Sequence, residues 1–367
     1  MKICHLTSVH DHNDTRIFIK ECRSLVQAGF EVHYVVPDTG DFEVDGVQMH
    51  GVMRGNDSRF KRMTMTANQV YKKGLAIDAD VYHFHDPELI PIGLKLKRRG
   101  KKVIYDIHED VPRAILSKHW ISAVIRKPVA SAFEVFENAC SKKFDFLSTA
   151  TPFITKRFKK VNHNTVNINN YPLINELLDS QAEVPVKKVN SVCYIGVIAE
   201  MRGVNQLLHA ANLVNGAIDF AGPISSENKE KMNKQENVHY RGILNRNELK
   251  NLLSKSAAGI VTFLPEPNHI NAQPNKMFEY MSAGIPVICS DFPLWREIIE
   301  KNECGICVNP EDPIAIAAAI NYLLENPETA ERMGNNGRKA VETEYNWEAE
   351  SGKLIAIYKS FANECKG

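Results

Sequence analysis

One acid and two polar residues in the segment Pro274–Asp291, which reads PNKMFEYMSAGIPVICSD, could do chemistry together. The pattern predicts a short apolar helix that carries Glu279 as its one acid and ends at Gly284, because glycine suits a left-handed C-cap. An unpaired buried carboxylate is costly, and the vicinal hydroxyls of a ribose would satisfy it through two charge-assisted hydrogen bonds. Asn275 and Lys276 lie at the helix start, where free N–H groups and the helix dipole attract phosphate. The segment therefore predicts a site for a nucleoside diphosphate; the alternative is a surface helix whose Glu279 faces water.

Polar side chains also follow two apolar runs of the first half, at the point where each predicted strand ends. His108 and Glu109 come directly after VIYDI, and His85 and Asp86 come directly after VYHF. Ligands of open parallel sheets collect at the carboxyl ends of the strands, so we expect these side chains to face a substrate. Two alternatives stay open: His108 bonded to neighbouring backbone, and Asp86 as the N-cap of the next helix.

Residue types that bind metals occur at two further places. The loop that contains Asp14 and Arg16 reads SVHDHNDTR and places several imidazole and carboxylate groups close together, as a metal site would require. Cys304 and Cys307 form a single C-x-x-C without the second ligand pair that a zinc site needs. A metal is therefore an alternative at the first place and is disfavoured at the second.

In the second half, several candidate residues lie where a predicted strand ends or a predicted helix begins. Gly196 follows VCYI, Arg202 and Gly203 precede a helix, and Gly222 and Ile243 follow two more apolar runs. The arginine fork suits phosphate, since it can make two parallel hydrogen bonds. Glycine lets the backbone approach a ligand closely, although each glycine also fits an ordinary turn. This half is expected to hold the phosphates and the base.

Apolar runs and helix-like stretches alternate along the whole chain, in two series. The predicted strands are Ile3–Leu6, Val32–Val36, Val81–Phe84, Val103–Ile107, Phe146–Ser148, Val192–Ile195, Ile218–Phe220, Val238–Tyr240, Gly259–Phe263 and Pro286–Cys289. The predicted helices are Arg16–Gln27, Leu89–Lys97, Val124–Lys142, Val204–Leu213, Asn247–Leu253, Pro313–Glu325, Pro327–Glu342 and Trp347–Ala362. Such alternation predicts the α/β class, with parallel sheets covered by helices on both faces. The stretch Asp179–Lys188 has no period and contains a proline, so we predict a linker there.

Size and composition exclude several classes of protein. A chain of 367 residues predicts two domains, and a formal net charge of +1 gives no general attraction to nucleic acid. The sequence has no G-x-G-x-x-G and no P-loop, which argues against a dehydrogenase and a kinase. With neither a signal-peptide pattern nor an apolar run long enough to span a bilayer, we expect a cytoplasmic chain.

One stretch of the first half is compatible with a membrane surface. It combines apolar and basic side chains: Trp120, Ile121, Val124, Ile125, Arg126 and Lys127. The pattern fits an interfacial amphipathic helix and equally an ordinary half-buried helix.

These motifs resemble those of the retaining GT-B glycosyltransferase family 4, also called glycosyltransferase group 1. In that family, a Glu on an apolar helix before a Gly-x-Pro-Val turn holds the donor ribose, and Glu279 matches it. The string YDIHED is similar to the loop whose His reaches the donor sugar, and His108 matches that residue. Asp14 and Arg16 match a recurring Asp-x-Arg of the first loop. The resemblance thus implies a nucleotide-sugar donor and an acceptor.

The resemblance also implies roles for individual residues. His108 and Glu279 are expected to be catalytic. Donor contacts are expected from Gly196, Arg202, Gly222, Ile243, Asn271, Asn275, Lys276, Phe278 and Glu279, and acceptor contacts from Asp14, Arg16, His85, Asp86 and Glu109. Two positions depart from the family: Asn271 stands where a Glu often contacts the donor sugar, and Val197 stands where an Arg grips the diphosphate. We expect Lys276 to replace that lost cation.

The implied architecture is GT-B, an α/β fold of two Rossmann-like domains with parallel sheets facing across a cleft. We place an acceptor-binding domain at 1–178, a nucleotide-sugar-binding domain at 189–345, and a C-terminal helix at 346–367 that returns to the first domain. The expected reaction transfers a sugar to a glycan or lipid-linked acceptor in bacterial surface polysaccharide or oligosaccharide synthesis. We expect no cofactor and no metal requirement, with peripheral membrane contact as an alternative. A non-hydrolysing nucleotide-sugar epimerase and a non-catalytic nucleotide-sugar-binding protein are the rival predictions.

Overall fold

The computed structural model describes residues 1–54, 59–118, 121–174, 177 and 190–364. The chain divides into two compact units: unit 1 contains Met1–Asn170 and Ala349–Gly367, and unit 2 contains Tyr171–Glu348. The predicted linker Asp179–Lys188 and the predicted membrane-facing Trp120 lie outside the described residues.

The sheet of unit 1 has eight strands. They are β1 (Lys2–Leu6), β2 (Glu31–Pro37), β3 (Phe42–Val44), β4 (Val47–Val52), β5 (Val81–Phe84), β6 (Lys102–Ile107), β7 (Phe146–Thr149) and β8 (Thr165–Asn167). Their spatial order is β3-β4-β2-β1-β5-β6-β7-β8, and every neighbouring pair is parallel except β3 with β4. Central strands such as β5 are short and completely buried, as expected for a parallel sheet covered on both faces.

Strands β3 and β4 form a hairpin that the sequence analysis did not predict. Val44 and Val47 pair across it, and the two residues between them, Asp45 and Gly46, have φ values of 51° and 77°. Asp-Gly is a favoured pair for a two-residue hairpin turn because both positions need a positive φ. The dipeptide was therefore a readable signal.

Helices of unit 1 connect the strands. They are α1 (Arg23–Gln27), α2 (Arg59–Ile77), α3 (Ile90–Arg98), α4 (Val111–Leu116), α5 (Ala123–Ser141) and α6 (Pro152–Phe158). The predicted helix Arg16–Gln27 differs from the structure, since α1 is preceded by a π-helical segment, Thr15–Cys22. Asp14 caps this segment by accepting hydrogen bonds from the N–H groups of the second and third residues after it, both at 2.9 Å. A π turn is wider than an α turn, and the consecutive residues Lys20 and Glu21 are both buried here.

The sheet of unit 2 has six parallel strands. They are β9 (Ser191–Ile195), β10 (Ala217–Ala221), β11 (Val238–Tyr240), β12 (Gly259–Val261), β13 (Val287–Ser290) and β14 (Gly305–Val308), in the order β11-β10-β9-β12-β13-β14. Cys193 and Ile195 enter the core on one face of the sheet, and Val192 and Tyr194 enter the core on the other. This alternation follows from the two-residue period of a strand.

The remaining helices cover this sheet and complete the chain. They are α7 (Val204–Ala211), α8 (Ser226–Met232), α9 (Arg246–Lys255), α10 (Asn275–Ser282), α11 (Pro293–Asn302), α12 (Pro313–Glu325), α13 (Pro327–Thr343) and α14 (Trp347–Glu364). Helix α14 ends in unit 1, where the hydroxyl of Tyr358 lies 2.8 Å from His83 Nδ1.

Candidate functional site

A cavity of about 460 Å³ opens in unit 2 at the carboxyl ends of strands β9 and β10 and at the start of helix α10. It is lined by Ile195, Gly196, Arg202, Ala221, Gly222, Pro223, Ile243, Leu244, Leu249, Phe263, Pro274, Asn275, Lys276 and Glu279. The position agrees with the rule that ligands of doubly wound sheets bind beyond the carboxyl ends of the strands.

Helix α10 is held against the sheet by Tyr280. Its hydroxyl accepts a hydrogen bond from the Ile195 N–H at 2.9 Å and donates one to the Ile260 carbonyl at 3.1 Å. A side chain at Gly259 would collide with the Tyr280 ring, since a Cβ there would lie 2.2 Å from it. The helix start and Glu279 are therefore fixed in place by a buried contact.

The start of helix α10 faces the cavity. Pro274 precedes the helix and provides no side-chain cap, so the first N–H groups lack the acceptor that a capping oxygen would supply. Asn275 and Lys276, the first helical residues, both line the cavity. Free N–H groups and the positive end of the helix dipole make this an anion-binding end.

Lys276 is the most informative residue of the cavity. Its side chain is buried at 7 % exposure, and its Nζ has no hydrogen-bond partner among the described residues. The ammonium lies 3.9 Å from the centre of the Tyr194 ring. Burial lowers the pKa of Lys276 well below 10.5, and the nearby Arg202 lowers it further. A buried cation without an acceptor is expensive, and an anion in the cavity would remove that cost.

Arg202 supplies a second cation from the turn before helix α7. Its guanidinium lies 5.2 Å from the Phe263 ring centre. The next residue, Gly203, has φ +78°, and a Cβ there would lie 2.1 Å from the Thr262 carbonyl oxygen. Glycine is therefore required for the turn that places Arg202 at the cavity wall.

Glu279 also lines the cavity, with its side chain 24 % exposed. Its carboxylate has a partner within the protein, because Oε1 lies 3.4 Å from Nη1 of Arg246 at the start of helix α9. Arg246 was not predicted from the sequence as a partner of Glu279. A ribose at Glu279 would share the carboxylate with this arginine or displace it.

The side of the cavity near helix α9 is apolar. Ile243 is 74 % exposed, and Leu244 and Leu249 line the cavity beside it. Ile243 was predicted from the sequence as a site residue, whereas both leucines and Phe263 were not. A readable signal was the capping box of Asn245 and Glu248, which fixes where α9 begins and hence which residues precede it.

Two predicted donor residues lie elsewhere. Phe278 is 1 % exposed, and its ring packs on Tyr171 and Tyr345 in the core of unit 2. Asn271 is half-buried in the loop before the helix and is not among the residues that line the cavity. Phe278 points away because consecutive helical residues face different sides, and Glu279 takes the side that faces the cavity.

In unit 1, the structure brings several predicted acceptor residues into one network. His108 Nε2 lies 2.6 Å from Asp106 Oδ2, and His85 Nδ1 lies 3.1 Å from the same oxygen. Arg16 donates from Nε and Nη2 to the two oxygens of Asp106, at 2.9 and 2.8 Å, and from Nη1 to the Ile168 carbonyl at 3.1 Å. Because this side chain is only 4 % exposed and all three of its nitrogens donate within unit 1, Arg16 positions Asp106.

The other predicted residues of unit 1 surround this network. Asp86 accepts hydrogen bonds from the Thr7 hydroxyl and the Ser8 N–H, both at 2.7 Å, and it makes no side-chain N-cap bond. Its carboxylate thus binds the first loop and does not cap the next helix. Asp14 lies 2.9 Å from His10 Nδ1. Glu109 is exposed.

Charges in the network shift the pKa values of its members. Burial alone would raise the pKa of Asp106, but Arg16 and then His108 hold it well below 3.8. Burial lowers the pKa of His85 well below 6.5, although the hydrogen bond with Asp106 opposes that shift. Burial also opposes ionisation of Asp14, yet the hydrogen bond from His10 lowers the pKa of Asp14 to about 2. The sequence analysis did not name Asp106, although Asp106 and His108 stand two residues apart along the chain.

Comparisons with known proteins identify glycosyltransferases along most of the chain. Residues 16–166 match the model of Glycosyltransferase Family 4, and residues 177–340 match that of Glycosyl transferases group 1. An uncharacterized glycosyltransferase of Methanocaldococcus jannaschii is 24% identical over 91% of each chain. A capsular polysaccharide biosynthesis glycosyltransferase of Staphylococcus aureus is 21% identical over 56% of this chain and 55% of its own.

Solved structures show the same fold. Sucrose-phosphate synthase from Thermosynechococcus elongatus superposes with a TM-score of 0.79, at 18% identity and 99% coverage of both chains. Anabaena HepE in complex with UDP and glucose gives a TM-score of 0.74, at 13% identity, and covers 98% of this chain and 100% of its own. Within the described residues, no helix is both long and apolar enough to cross a membrane. The two matched families together cover most of the chain, which therefore belongs to the GT-B glycosyltransferases of family 4 and group 1.

Proposed function

We propose that this chain is a retaining hexosyltransferase that moves a sugar from a nucleotide-diphosphate sugar to an acceptor hydroxyl. The observation that carries the proposal is Lys276, a buried ammonium without a hydrogen-bond acceptor among the described residues, at the wall of the unit 2 cavity. An unpaired buried cation costs stability and is retained where a ligand supplies the counter-charge. A diphosphate at the start of helix α10 fits this demand.

The lining of the cavity supports one orientation of the donor. The diphosphate would lie between Lys276, Arg202 and the N–H groups of helix α10. The ribose hydroxyls would donate to Glu279 in place of Arg246, which now lies 3.4 Å away. The base would rest on the apolar surface of Ile243 and Leu249. UDP is the first nucleotide to test, because HepE, which shares the fold, was solved in complex with it.

The chemistry follows from the resemblance to retaining family members and from the network of unit 1. The bond between the anomeric carbon and the phosphate oxygen breaks, the acceptor oxygen bonds to the same face of that carbon, and its proton passes to the leaving diphosphate. We assign His108 to stabilise charge on the transferred sugar, with its imidazole oriented by Asp106 at 2.6 Å. No cofactor and no added metal take part in these steps.

The acceptor is proposed to be a glycan or a lipid-linked sugar of bacterial surface polysaccharide synthesis, and the chain to be cytoplasmic with a peripheral membrane contact. Similarity to the capsular polysaccharide glycosyltransferase supports the first point. For the second, Val124 and Ile125 on helix α5 are 83% and 52% exposed and lie next to the exposed Lys127. Arg126 is not part of this surface, since it donates to the carbonyls of Leu116 and Ile121.

The test compares Glu279→Ala with Glu297→Ala, a matched change of an exposed acid on helix α11 outside the cavity. Hydrogen bonds to a charged group contribute about 1.5–3 kcal/mol each. Loss of the two to ribose should therefore weaken UDP binding at least about tenfold in calorimetry, with Glu297→Ala unchanged. Unchanged UDP affinity in Glu279→Ala would show that the ribose assignment is wrong.

Product analysis separates this reaction from its rivals. Donor and acceptor together should give a glycoside whose anomeric configuration, read by proton NMR, equals that of the donor. Isomerised donor without an acceptor would indicate an epimerase, and donor binding without turnover on any acceptor would indicate a non-catalytic protein.

A further inference from the structure

Four buried side chains converge in unit 1 beneath the network of His108. They are His5 on strand β1, His83 on strand β5, His85 directly after that strand, and Glu21 on the π-helical segment, and each is at most 3% exposed. One potential ligand atom of each lies within 4.8 Å of the others. This arrangement of three imidazoles and one carboxylate is called the His-Glu cluster below.

The distances within the His-Glu cluster suit a small ion. His5 Nδ1 and His85 Nε2 are 2.9 Å apart, and Glu21 Oε2 lies 3.8, 4.0 and 3.9 Å from a nitrogen of His5, His83 and His85. Ligand atoms about 2.0–2.2 Å from a tetrahedral zinc ion lie roughly 3.3–3.6 Å from one another. The observed separations bracket that range, so small side-chain movements would complete the geometry.

The outer nitrogens of two histidines are held as metal ligands require. His85 presents Nε2 to the cluster, and its other nitrogen, Nδ1, lies 3.1 Å from Asp106 Oδ2. His5 presents Nδ1, and its Nε2 lies 3.4 Å from the Tyr358 hydroxyl. A carboxylate or hydroxyl behind a ligating imidazole fixes the ring and its tautomer.

Glu21 lacks donors that would compensate its buried carboxylate. Neither of its oxygens accepts a hydrogen bond from the part of the chain that the structure describes. Arg16 Nε is 3.2 Å from Oε1, but the hydrogen bonds of that guanidinium go to Asp106 and Ile168. A proton on Glu21 would be the alternative way to neutralise this charge. The imidazoles would then keep the contacts they make now, between His5 and His85 at 2.9 Å and between His83 Nδ1 and the Tyr358 hydroxyl at 2.8 Å.

We propose that His5, Glu21, His83 and His85 bind one divalent transition-metal ion of the zinc class. Three neutral imidazoles and one carboxylate are a ligand set that zinc accepts, whereas magnesium and calcium prefer oxygen ligands. The ion would link strands β1 and β5 to the π-helical segment and, through His85, brace Asp106 behind His108. Because every ligand is buried, the ion is structural and does not exchange during transfer. The inference does not depend on the proposed function.

The test measures metal content in the full chain. The chain is produced in zinc-supplemented medium, desalted and analysed by mass spectrometry for metals, and then stripped by unfolding in chelator and refolded with Zn²⁺ or Co²⁺. We expect about one ion per chain in both preparations, a ligand-field spectrum of four-coordinate Co²⁺ without thiolate charge-transfer bands, and a lower melting temperature for the metal-free chain.

Variants assign the ligands. Glu21→Gln and His85→Gln should each lose most of the metal, while His33→Gln should keep it. His33 is the matched control, because it forms another close imidazole pair of unit 1, with His50 at 2.9 Å, outside the His-Glu cluster. Should a ligand variant fail to fold by circular dichroism, the comparison of stripped and loaded wild-type chain still decides.

Three results would each overturn the proposal. The first is a natively folded wild-type chain with no stoichiometric metal after exposure to Zn²⁺ and Co²⁺, which would leave Glu21 neutralised by a proton. The second is metal retained in full by both ligand variants. The third is a cobalt spectrum with thiolate bands, which would assign the metal to cysteines.

Discussion

Lys276→Met should strengthen the fold of unit 2 and weaken donor binding at the same time. Met keeps the unbranched apolar stem and a favourable contact with the Tyr194 ring, which now lies 3.9 Å from the ammonium, but it removes the charge. An unsatisfied buried polar group costs about 1–3 kcal/mol, so the variant should gain at least about 1 kcal/mol of stability. Unit 2 spans Tyr171–Glu348, and for a domain of that size 1 kcal/mol raises the melting temperature by about 2–4 °C.

The loss of binding follows from the same atom. A hydrogen bond from an ammonium to a phosphate oxygen contributes about 1.5–3 kcal/mol, which corresponds to roughly a 10- to 100-fold rise in the Kd for UDP. Calorimetry with UDP gives the Kd, and thermal unfolding followed by circular dichroism gives the stability. Lys229→Met is the matched control, since it removes the same charge from an exposed position of unit 2.

The stability difference should also depend on pH, with a defined sign. Burial lowers the pKa of Lys276 well below 10.5, so the unfolded state binds more protons at this site between the folded pKa and 10.5. The native wild-type chain therefore gains stability with rising pH in that window, and the advantage of Lys276→Met shrinks there. A variant that binds UDP as tightly as wild type, or that melts below it, would refute the description of Lys276 as an unpaired phosphate ligand.

Three further predictions concern backbone strain, the loss of stability at low pH and a buried ion pair. Gly203→Ala should destabilise unit 2 by about 1–3 kcal/mol in thermal unfolding. The reasons are the φ of +78° and the 2.1 Å that would separate the added Cβ from the Thr262 carbonyl oxygen. An unchanged melting temperature would mean that the turn is not constrained. The pKa of Asp14 is lowered to about 2, so its contribution to stability is present above 3.8 and is lost as the pH falls toward 2, and Asp14→Asn should abolish that part of the pH dependence. Arg16→Met should cost about 3–5 kcal/mol by breaking the buried ion pair between Arg16 and Asp106, and a melting temperature equal to that of wild type would contradict this.

Much of the lining of the unit 2 cavity could be predicted from the sequence because its residues lie in continuous segments. The start of helix α10, the charge of Lys276 and the position of Glu279 follow from one run of residues whose helical period is readable. Phe278 was misplaced because a contact with Tyr171 and Tyr345 joins residues far apart in the chain. Arg246 was missed for a related reason, since its approach to Glu279 depends on how helix α9 packs beside α10.

The His-Glu cluster could not be predicted, although its histidines stand in, or directly after, two readable strands. His5 and His83 become neighbours only through the register of β1 with β5, which neither strand specifies alone. Glu21 joins them only because a π-helical segment replaces the expected α-helix. Sequence periodicity gives the face of a regular element, but it gives neither the register between strands nor the change in face at a π turn.

Two buried cations of this chain differ in how their charges are paired. Arg16 and Lys276 are equally inaccessible, at 4% and 7% exposure. Arg16 donates three hydrogen bonds, to Asp106 and Ile168, whereas the ammonium of Lys276 has no acceptor among the described residues and lies over the Tyr194 ring. Arg202 repels this ammonium, and Glu279 attracts it more weakly. Their replacement by methionine should therefore move stability in opposite directions, because one change breaks a compensated pair and the other removes an uncompensated charge. The cation without a hydrogen-bond acceptor among the described residues is the one at the cavity wall, and this lack of an acceptor, rather than its burial, is the reason for proposing Lys276 as a ligand of the donor.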